Sequence, residues 1–218
     1  MGQGVFGRTN RAFPPLWLSL AAPASAPELP RLVSAALSVG TVVDVSAHPG
    51  LFGGFMRGSD ALLMGAGGNE IGDAADEDGA ANLIHAHLIE SLSAIGRDWL
   101  DFYFLRVRRP LEEFQLTGAL KALEWARDEG HVKFVGLSAE ADPLVVLRAW
   151  QFHDAFEALL LPNRDPSYAG LRTLAAERRV GIVSRAANPL SLESRPVLCT
   201  VRSVPEVRVL TQEPVAAG

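Results

Sequence analysis

The chain has 218 residues, of which 48% are hydrophobic and 21% charged, a composition typical of a soluble globular protein with one large core. A net charge of -5 argues against nucleic acid or an anionic membrane surface as a partner. Cys199 is the only cysteine, so the chain cannot form an internal disulfide, and we expect a cytoplasmic location. No apolar run approaches the roughly 20 residues that a membrane span needs.

Strand-like and helix-like patterns alternate along the chain, which predicts a parallel β/α architecture and one domain covering residues 1–218. The predicted strands are residues 16–21, 41–45, 101–105, 132–137, 156–161, 180–184 and 207–210. The predicted helices are residues 28–39, 80–95, 111–129, 142–152, 167–179 and 196–204. A secretory signal peptide is the alternative for the N-terminal apolar run, but a first strand is favoured.

Two regions have less helix-forming sequence than such an architecture needs. Residues 50–68 contain seven glycines, which leaves little room for a helix after the second strand. At the C-terminus, residues 212–218 provide at most a stub of a final helix. Because uncovered flanks expose apolar surface, we expect a homodimer or a contact with a partner protein there.

Two segments of the sequence resemble motifs of a known protein family. The stretch 91–106 reads Ser-Leu-Ser-Ala-Ile-Gly-Arg-Asp-Trp-Leu-Asp-Phe-Tyr-Phe-Leu-Arg and resembles S-L-x-x-L-x-x-D-Y-[IL]-D-L-Y-x-[IL]-H of the aldo-keto reductases. Residues 44–50, Asp-Val-Ser-Ala-His-Pro-Gly, are similar to the same family's D-T-A-x-x-Y-G. The resemblance implies a shortened (β/α)8 TIM barrel with an eroded second-helix region and C-terminal helix. In such barrels the reacting groups lie at the C-terminal ends of the strands.

The same resemblance implies that the family's reaction has been lost. The proton-donating tyrosine falls on Pro49, its lysine falls near Ala66, and the histidine falls on Arg106. Only the aspartate is retained, as Asp44. Proline has no proton to donate, so hydride transfer by the family's usual route is not expected.

The family's contacts with its nicotinamide cofactor are replaced as well. The asparagine after strand 5 becomes Ala139, the strand-6 glutamine falls on Leu159, and the stacking tyrosine falls on Arg185. The G-x-x-x-x-x-[QE] segment that holds the adenosine phosphate is replaced by residues 211–214. We therefore expect no cofactor, and the spacing of the histidines and of the single cysteine predicts no metal site.

Polar residues remain at the predicted strand ends. His48 is the candidate acid–base catalyst, oriented by Asp44, and Arg106 is the candidate clamp for an anion. Contacts with a polar or anionic small molecule are predicted for Ser46, Ser138, Glu140, Asn163, Arg164 and Arg185.

Two classes of function remain open. The first is a non-redox isomerase, dehydratase, lyase or cyclase, in a biosynthetic pathway, and the polar mouth favours it. The second is a pseudoenzyme that acts as a binding or scaffold subunit. A residual NADPH-dependent reductase would need a tyrosine from elsewhere, and neither Tyr103 nor Tyr168 is predicted in the required loop.

Overall fold

The computed structural model describes residues 5–163, 165–186 and 196–211, which form a closed barrel of eight parallel strands in chain order. The first strand pairs with the last, Leu16 with Val197 and Leu20 with Val201, and this register closes the barrel. The predicted shortened TIM barrel is therefore confirmed. The strands are β1 Leu16–Leu20, β2 Val42–Asp44, β3 Leu62–Gly67, β4 Leu100–Val107, β5 Val132–Ala139, β6 Ala158–Leu161, β7 Gly181–Arg185 and β8 Val197–Val201.

Helices surround the barrel, and their ends follow local capping rules. The longest, α3, begins where the Asp76 side chain accepts a hydrogen bond from the Gly79 amide at 2.7 Å, and it ends at Gly96 in the left-handed conformation. None of the described helices combines the length and hydrophobicity needed to cross a bilayer. The helices are α1 Leu29–Ser38, α2 Pro49–Met56, α3 Glu77–Ile95, α4 Glu113–Asp128, α5 Pro143–Trp150, α6 Ala169–Glu177 and α7 Val204–Thr211.

Alternate strand positions divide the core into two layers. Trp17, Phe102, Phe104 and Leu160 pack inside the barrel, whereas the residues between them pack against the helices. At Gly136 a Cβ atom would overlap the Phe104 ring, so this position needs glycine for the ring to fit. Residues at even positions of β4 therefore face the interior, and the last of them, Arg106, faces the C-terminal mouth.

Aromatic side chains close the opposite end of the barrel. Phe6 and Phe13 precede β1, and their rings lie 6.0 Å and 4.9 Å from the Phe102 ring. The apolar run that a signal peptide could have explained is β1, buried along its whole length. With the N-terminal end filled by aromatic rings, the polar strand ends lie at the other end of the barrel.

The predicted order of the last two elements is wrong. Residues 196–204 were expected to be helical, but Val197–Val201 is β8; residues 207–210 were expected to be a strand, but they lie in α7. A short, fully buried strand is a continuous apolar run, which periodicity cannot distinguish from a buried helix. Pairing with β1 makes β8 a strand, and Pro205 favours a helix because it lies in the first turn of α7.

The region expected to be eroded contains a helix. Residues 49–56 form α2, in which Phe52 and Met56 are completely buried. The glycines permit this packing, because Gly53 lets α2 approach the backbone of Ala94 in α3. The flank that was expected to be uncovered is therefore covered, though by a helix of only eight residues. The proposed C-terminal stub at 212–218 lies outside the described residues.

Candidate active site at the barrel mouth

A polar network begins at Asp44, the last residue of β2. Its carboxylate is buried, with 3% of the residue exposed, and accepts hydrogen bonds from the Ser19 hydroxyl at 2.8 Å and the Ser46 amide at 2.9 Å. Ser19 faces inward from the neighbouring β1. The first two strands thus hold this carboxylate in one orientation at the mouth.

Arg106 extends the network from β4. Its Nη2 donates a hydrogen bond to the Ser46 hydroxyl at 3.3 Å, and its Nε lies 3.4 Å from Glu140 Oε1. The second contact is an ion pair without hydrogen-bond geometry, so the buried Nε–H has no hydrogen-bond partner among the described residues. A buried N–H without a partner costs free energy, which an accepting atom of a ligand, ion or water would remove.

Glu140 follows β5 and connects two arginines. Its Oε2 accepts a hydrogen bond from Arg108 Nε at 2.7 Å, and its Oε1 accepts one from the Ser138 hydroxyl at 3.1 Å. Burial alone would raise the pKa of Glu140, but the hydrogen bond from Arg108 and the charge of Arg106 outweigh it, and the pKa is lowered. Glu140 is therefore a carboxylate at neutral pH.

His48 does not join this network. It is exposed and precedes the first turn of α2, and its backbone amide donates to the Val45 carbonyl oxygen. No hydrogen bond joins His48 to Asp44 among the described residues, whose bonds to Asp44 come from Ser19 and Ser46, so the two do not form an acid–base pair. Pro49 is the first residue of α2, and no hydroxyl therefore occupies the position that the resemblance gives to tyrosine.

A separate groove of about 560 Å³ lies at the C-terminal ends of β6 to β8. Arg185, the last residue of β7, lines it together with Asn163, whose Oδ1 accepts a hydrogen bond from the Asp165 amide at 2.8 Å. Thr200 and Arg202 line the same groove and were missed, because the sequence analysis placed strand 8 too late. Arg164, the other predicted contact in this region, lies outside the described residues.

Most of the segment that the resemblance gives to the adenosine-phosphate contact lies outside the described residues, and Thr211 is the last residue of α7. Arg202 follows β8 and lines the groove together with Arg185, so two cations lie at this end of the barrel.

The groups expected to replace the nicotinamide contacts lie on two faces of the sheet. Ala139 and Leu159 pack in the outer layer against the helices, whereas Ala158 and Leu160 of β6 face the interior. Leu159 therefore faces the helices and not the barrel interior. The side chains of Ala139, Leu159 and Leu160 offer no group that can hydrogen-bond a carboxamide.

The two tyrosines lie outside the network of Asp44 and Arg106. Tyr103 is buried in the outer layer, where its hydroxyl is hydrogen-bonded to His87 Nδ1 at 2.8 Å. Burial raises the pKa of Tyr103 far above its ordinary value. Tyr168 lies in the turn before α6 and packs against the outer core layer. Neither hydroxyl is hydrogen-bonded to a residue of the network.

No protein-family model matches the sequence, and no curated protein is similar to it. Solved structures are similar in fold. The holo form of an aldo-keto reductase from Bacillus halodurans has 13% identity and a TM-score of 0.73, with 98% of this chain and 91% of that chain covered. An aldo-keto reductase from a deep-sea metagenome has 13% identity and a TM-score of 0.72, with 96% and 88% covered.

A third structure, an aldo-keto reductase from Klebsiella pneumoniae in complex with NADPH, has 17% identity and a TM-score of 0.68. The similarity covers 94% of this chain and 86% of that chain. At these identities the comparison shows the fold, which agrees with the resemblance found in the sequence. It does not carry the chemistry of those enzymes to this chain.

Proposed function

We propose that the barrel binds a small molecule with an anionic group at Arg106 and acts on it by acid–base chemistry without a nicotinamide cofactor. The observation that carries the proposal is the buried Nε–H of Arg106, which has no hydrogen-bond partner among the described residues. A guanidinium stays charged at any physiological pH and offers several N–H donors in one plane. A ligand carboxylate or phosphate would accept from it and remove the cost of the unmatched donor.

The charges around Arg106 support an anionic ligand of low charge. Arg106 and Arg108 share the single carboxylate of Glu140, which leaves positive charge for a further partner. Asp44 lies across the network and is bound through hydroxyl and amide groups rather than through an arginine. A ligand anion at Arg106 would therefore compete with Glu140, and Asp44 is linked to Arg106 through Ser46.

Asp44 is the proposed base in this arrangement. Ser19 and Ser46 hold its carboxylate at the mouth, as a positioned proton acceptor requires. His48, in the loop between β2 and α2, is the proposed acid that exchanges the proton with solvent. Such chemistry suits an isomerase, dehydratase, lyase or cyclase in a biosynthetic pathway.

A binding function without catalysis is the second candidate. It is supported by the exposed position of His48, which forms no hydrogen bond with Asp44 among the described residues. On this alternative the protein is a pseudoenzyme in which Arg106 still holds an anion. The two candidates therefore share the binding site and differ only in proton transfer.

The binding claim is tested by calorimetric titration with malonate and with inorganic phosphate. Arg106→Leu should lose at least tenfold in affinity for the better anion, and Arg106→Lys should recover part of the loss because it keeps the charge without the planar fork. Arg208→Leu, which removes an exposed arginine of α7, is the matched control and should bind like the wild type. Equal affinity in wild type and Arg106→Leu would refute the site.

Proton transfer is tested by NMR in D2O with a panel of 2-oxo and 2-hydroxy carboxylates. An enzyme of the proposed kind should exchange a carbon-bound hydrogen of at least one ligand, and Asp44→Asn should bind that ligand without exchanging it. Binding without any exchange by the wild-type protein would favour the pseudoenzyme.

A further inference from the structure

Two large apolar side chains stand out on α5 and the turn that follows it. Leu144 is 75% exposed and Phe152 is 78% exposed, the highest values among the large hydrophobic residues described. Arg148 lies between them at four-residue spacing, which places Leu144 and Arg148 on one face of the helix. Arg148 is itself exposed and forms no ion pair with a described residue.

A groove runs along this row. It has a volume of about 470 Å³ and separates α5 from the start of α4. Leu144, Arg148 and Phe152 line its α5 side, and Glu112 and Glu113 lie on the side of α4. Two highly exposed apolar side chains and both signs of charge thus border one groove.

We infer that this α4–α5 surface binds a second copy of the chain through a two-fold symmetric contact. A two-fold contact uses the same patch on both copies, so the patch must carry both members of each interacting pair. Here it carries two exposed apolar side chains on the rim of a groove, and it also carries a cation and acids. The rotation would place Phe152 of each copy in the groove of the other.

The charges favour a second copy over an unrelated partner. Arg148 lies on one side of the groove and Glu113 on the other, so each arginine of a two-fold pair can face an acid of the opposite copy. Glu113 is 72% exposed and therefore accessible, although one oxygen lies 3.1 Å from His153 Nε2. Two copies with a net charge of -5 repel each other at long range, so a local match of this kind is needed for association.

The proposed dimer contact lies on the α4–α5 surface and not on the flank that the sequence indicated. The flank at residues 50–68 was expected to be uncovered, but α2 buries Phe52 and Met56 there. The α4–α5 surface is independent of the barrel mouth, so the dimer does not depend on the proposed chemistry.

Analytical ultracentrifugation over a range of micromolar concentrations tests the contact. The wild-type protein should be a dimer, and Leu144→Ser and Phe152→Ser should each weaken the dimer at least tenfold. Val209→Ser removes a side chain that is 70% exposed on α7 and should leave the dimer unchanged. A monomeric wild-type protein, or dimers that Phe152→Ser leaves intact, would overturn the inference.

A charge-exchange experiment tests the pairing itself. Arg148→Glu and Glu113→Arg should each weaken the homodimer, because each places like charges opposite one another. Mixed in equal amounts, the two variants should form a heterodimer in which both pairs are again opposite in sign. Both substitutions are at exposed positions, and circular dichroism confirms that each variant folds. Two single variants that dimerise like the wild type, or a mixture that forms no heterodimer, would refute the two-fold arrangement.

Discussion

Replacing Gly53 by alanine should lower the free energy of unfolding by about 1–2 kcal/mol. A Cβ atom at this position would overlap the Ala94 carbonyl oxygen and lie 2.9 Å from the carbonyl carbon. These are backbone atoms of α3, so α2 must shift as a whole, and overpacking of this kind costs roughly 1–3 kcal/mol. Alanine regains up to about 1 kcal/mol of helix propensity, which offsets part of the cost.

Gly54 provides the matched control in the same helix. A Cβ atom there meets nothing within 4 Å, so Gly54→Ala should gain propensity without strain. For a chain of this size, 1 kcal/mol corresponds to a shift of roughly 2–4 °C in Tm. In thermal unfolding followed by circular dichroism, Gly53→Ala should therefore have a lower Tm than the wild type, and Gly54→Ala a higher one. Equal Tm values would show that α2 does not pack closely on α3.

Three further predictions concern named side chains. Asp101 is buried and accepts hydrogen bonds from the Leu63 amide and from Lys133, both within 3 Å. Asp101→Ala should therefore lower the free energy of unfolding by about 2 kcal/mol, measured by urea titration. An unchanged urea midpoint would show that these hydrogen bonds do not stabilise the fold. Burial, aided by the charge of Arg106, lowers the pKa of His87 from its ordinary 6.5. The unfolded chain therefore binds a proton more readily than the folded one, so stability should fall as pH drops below 6.5. His87→Gln should reduce that dependence in Tm measured at several pH values, and an identical pH profile would contradict it. Glu140→Gln should strengthen binding of inorganic phosphate about tenfold by calorimetry, because it removes the anion that competes at Arg106; weaker binding would show that Glu140 helps to hold the ligand.

Most of the barrel could be predicted from the sequence because its strands and helices differ in period and length. The predicted α3 and α4 agree with the structure to within a few residues, and so do β4 and β5. The prediction failed where elements are short and apolar. β8 is a buried run of five residues whose strand character comes from its pairing with β1, which no local pattern contains.

Two elements rich in glycine, α2 and β3, were not predicted from the sequence, and the reason is the same for both. The glycines of residues 50–68 were expected to leave little room for a helix, whereas Gly53 allows α2 and α3 to approach closely. Gly65 and Gly67 are typical of loops, yet both lie in β3, which was not among the predicted strands. In each case tertiary packing overrides local propensity.

The site was predicted in part. The resemblance placed Asp44 and Arg106 at the mouth, and the structure connects them through Ser46. The resemblance could not show which side chains are hydrogen-bonded to each other, because the partners come from different strands. Ser19, the second partner of Asp44, was missed for this reason. His48 is close to Asp44 in sequence, but the backbone turn into α2 leaves it exposed.

We expect this barrel, which has the fold of aldo-keto reductases, to work without their cofactor. Calorimetric titration with NADPH tests it most directly, combined with absorbance measurements of NADPH oxidation in the presence of aldehydes. The loss of a tyrosine at Pro49 and the apolar Leu160 predict no binding in the micromolar range and no oxidation. The groove at Arg185 and Arg202 could hold a phosphate weakly, at millimolar concentrations. Micromolar affinity together with NADPH oxidation would contradict the account.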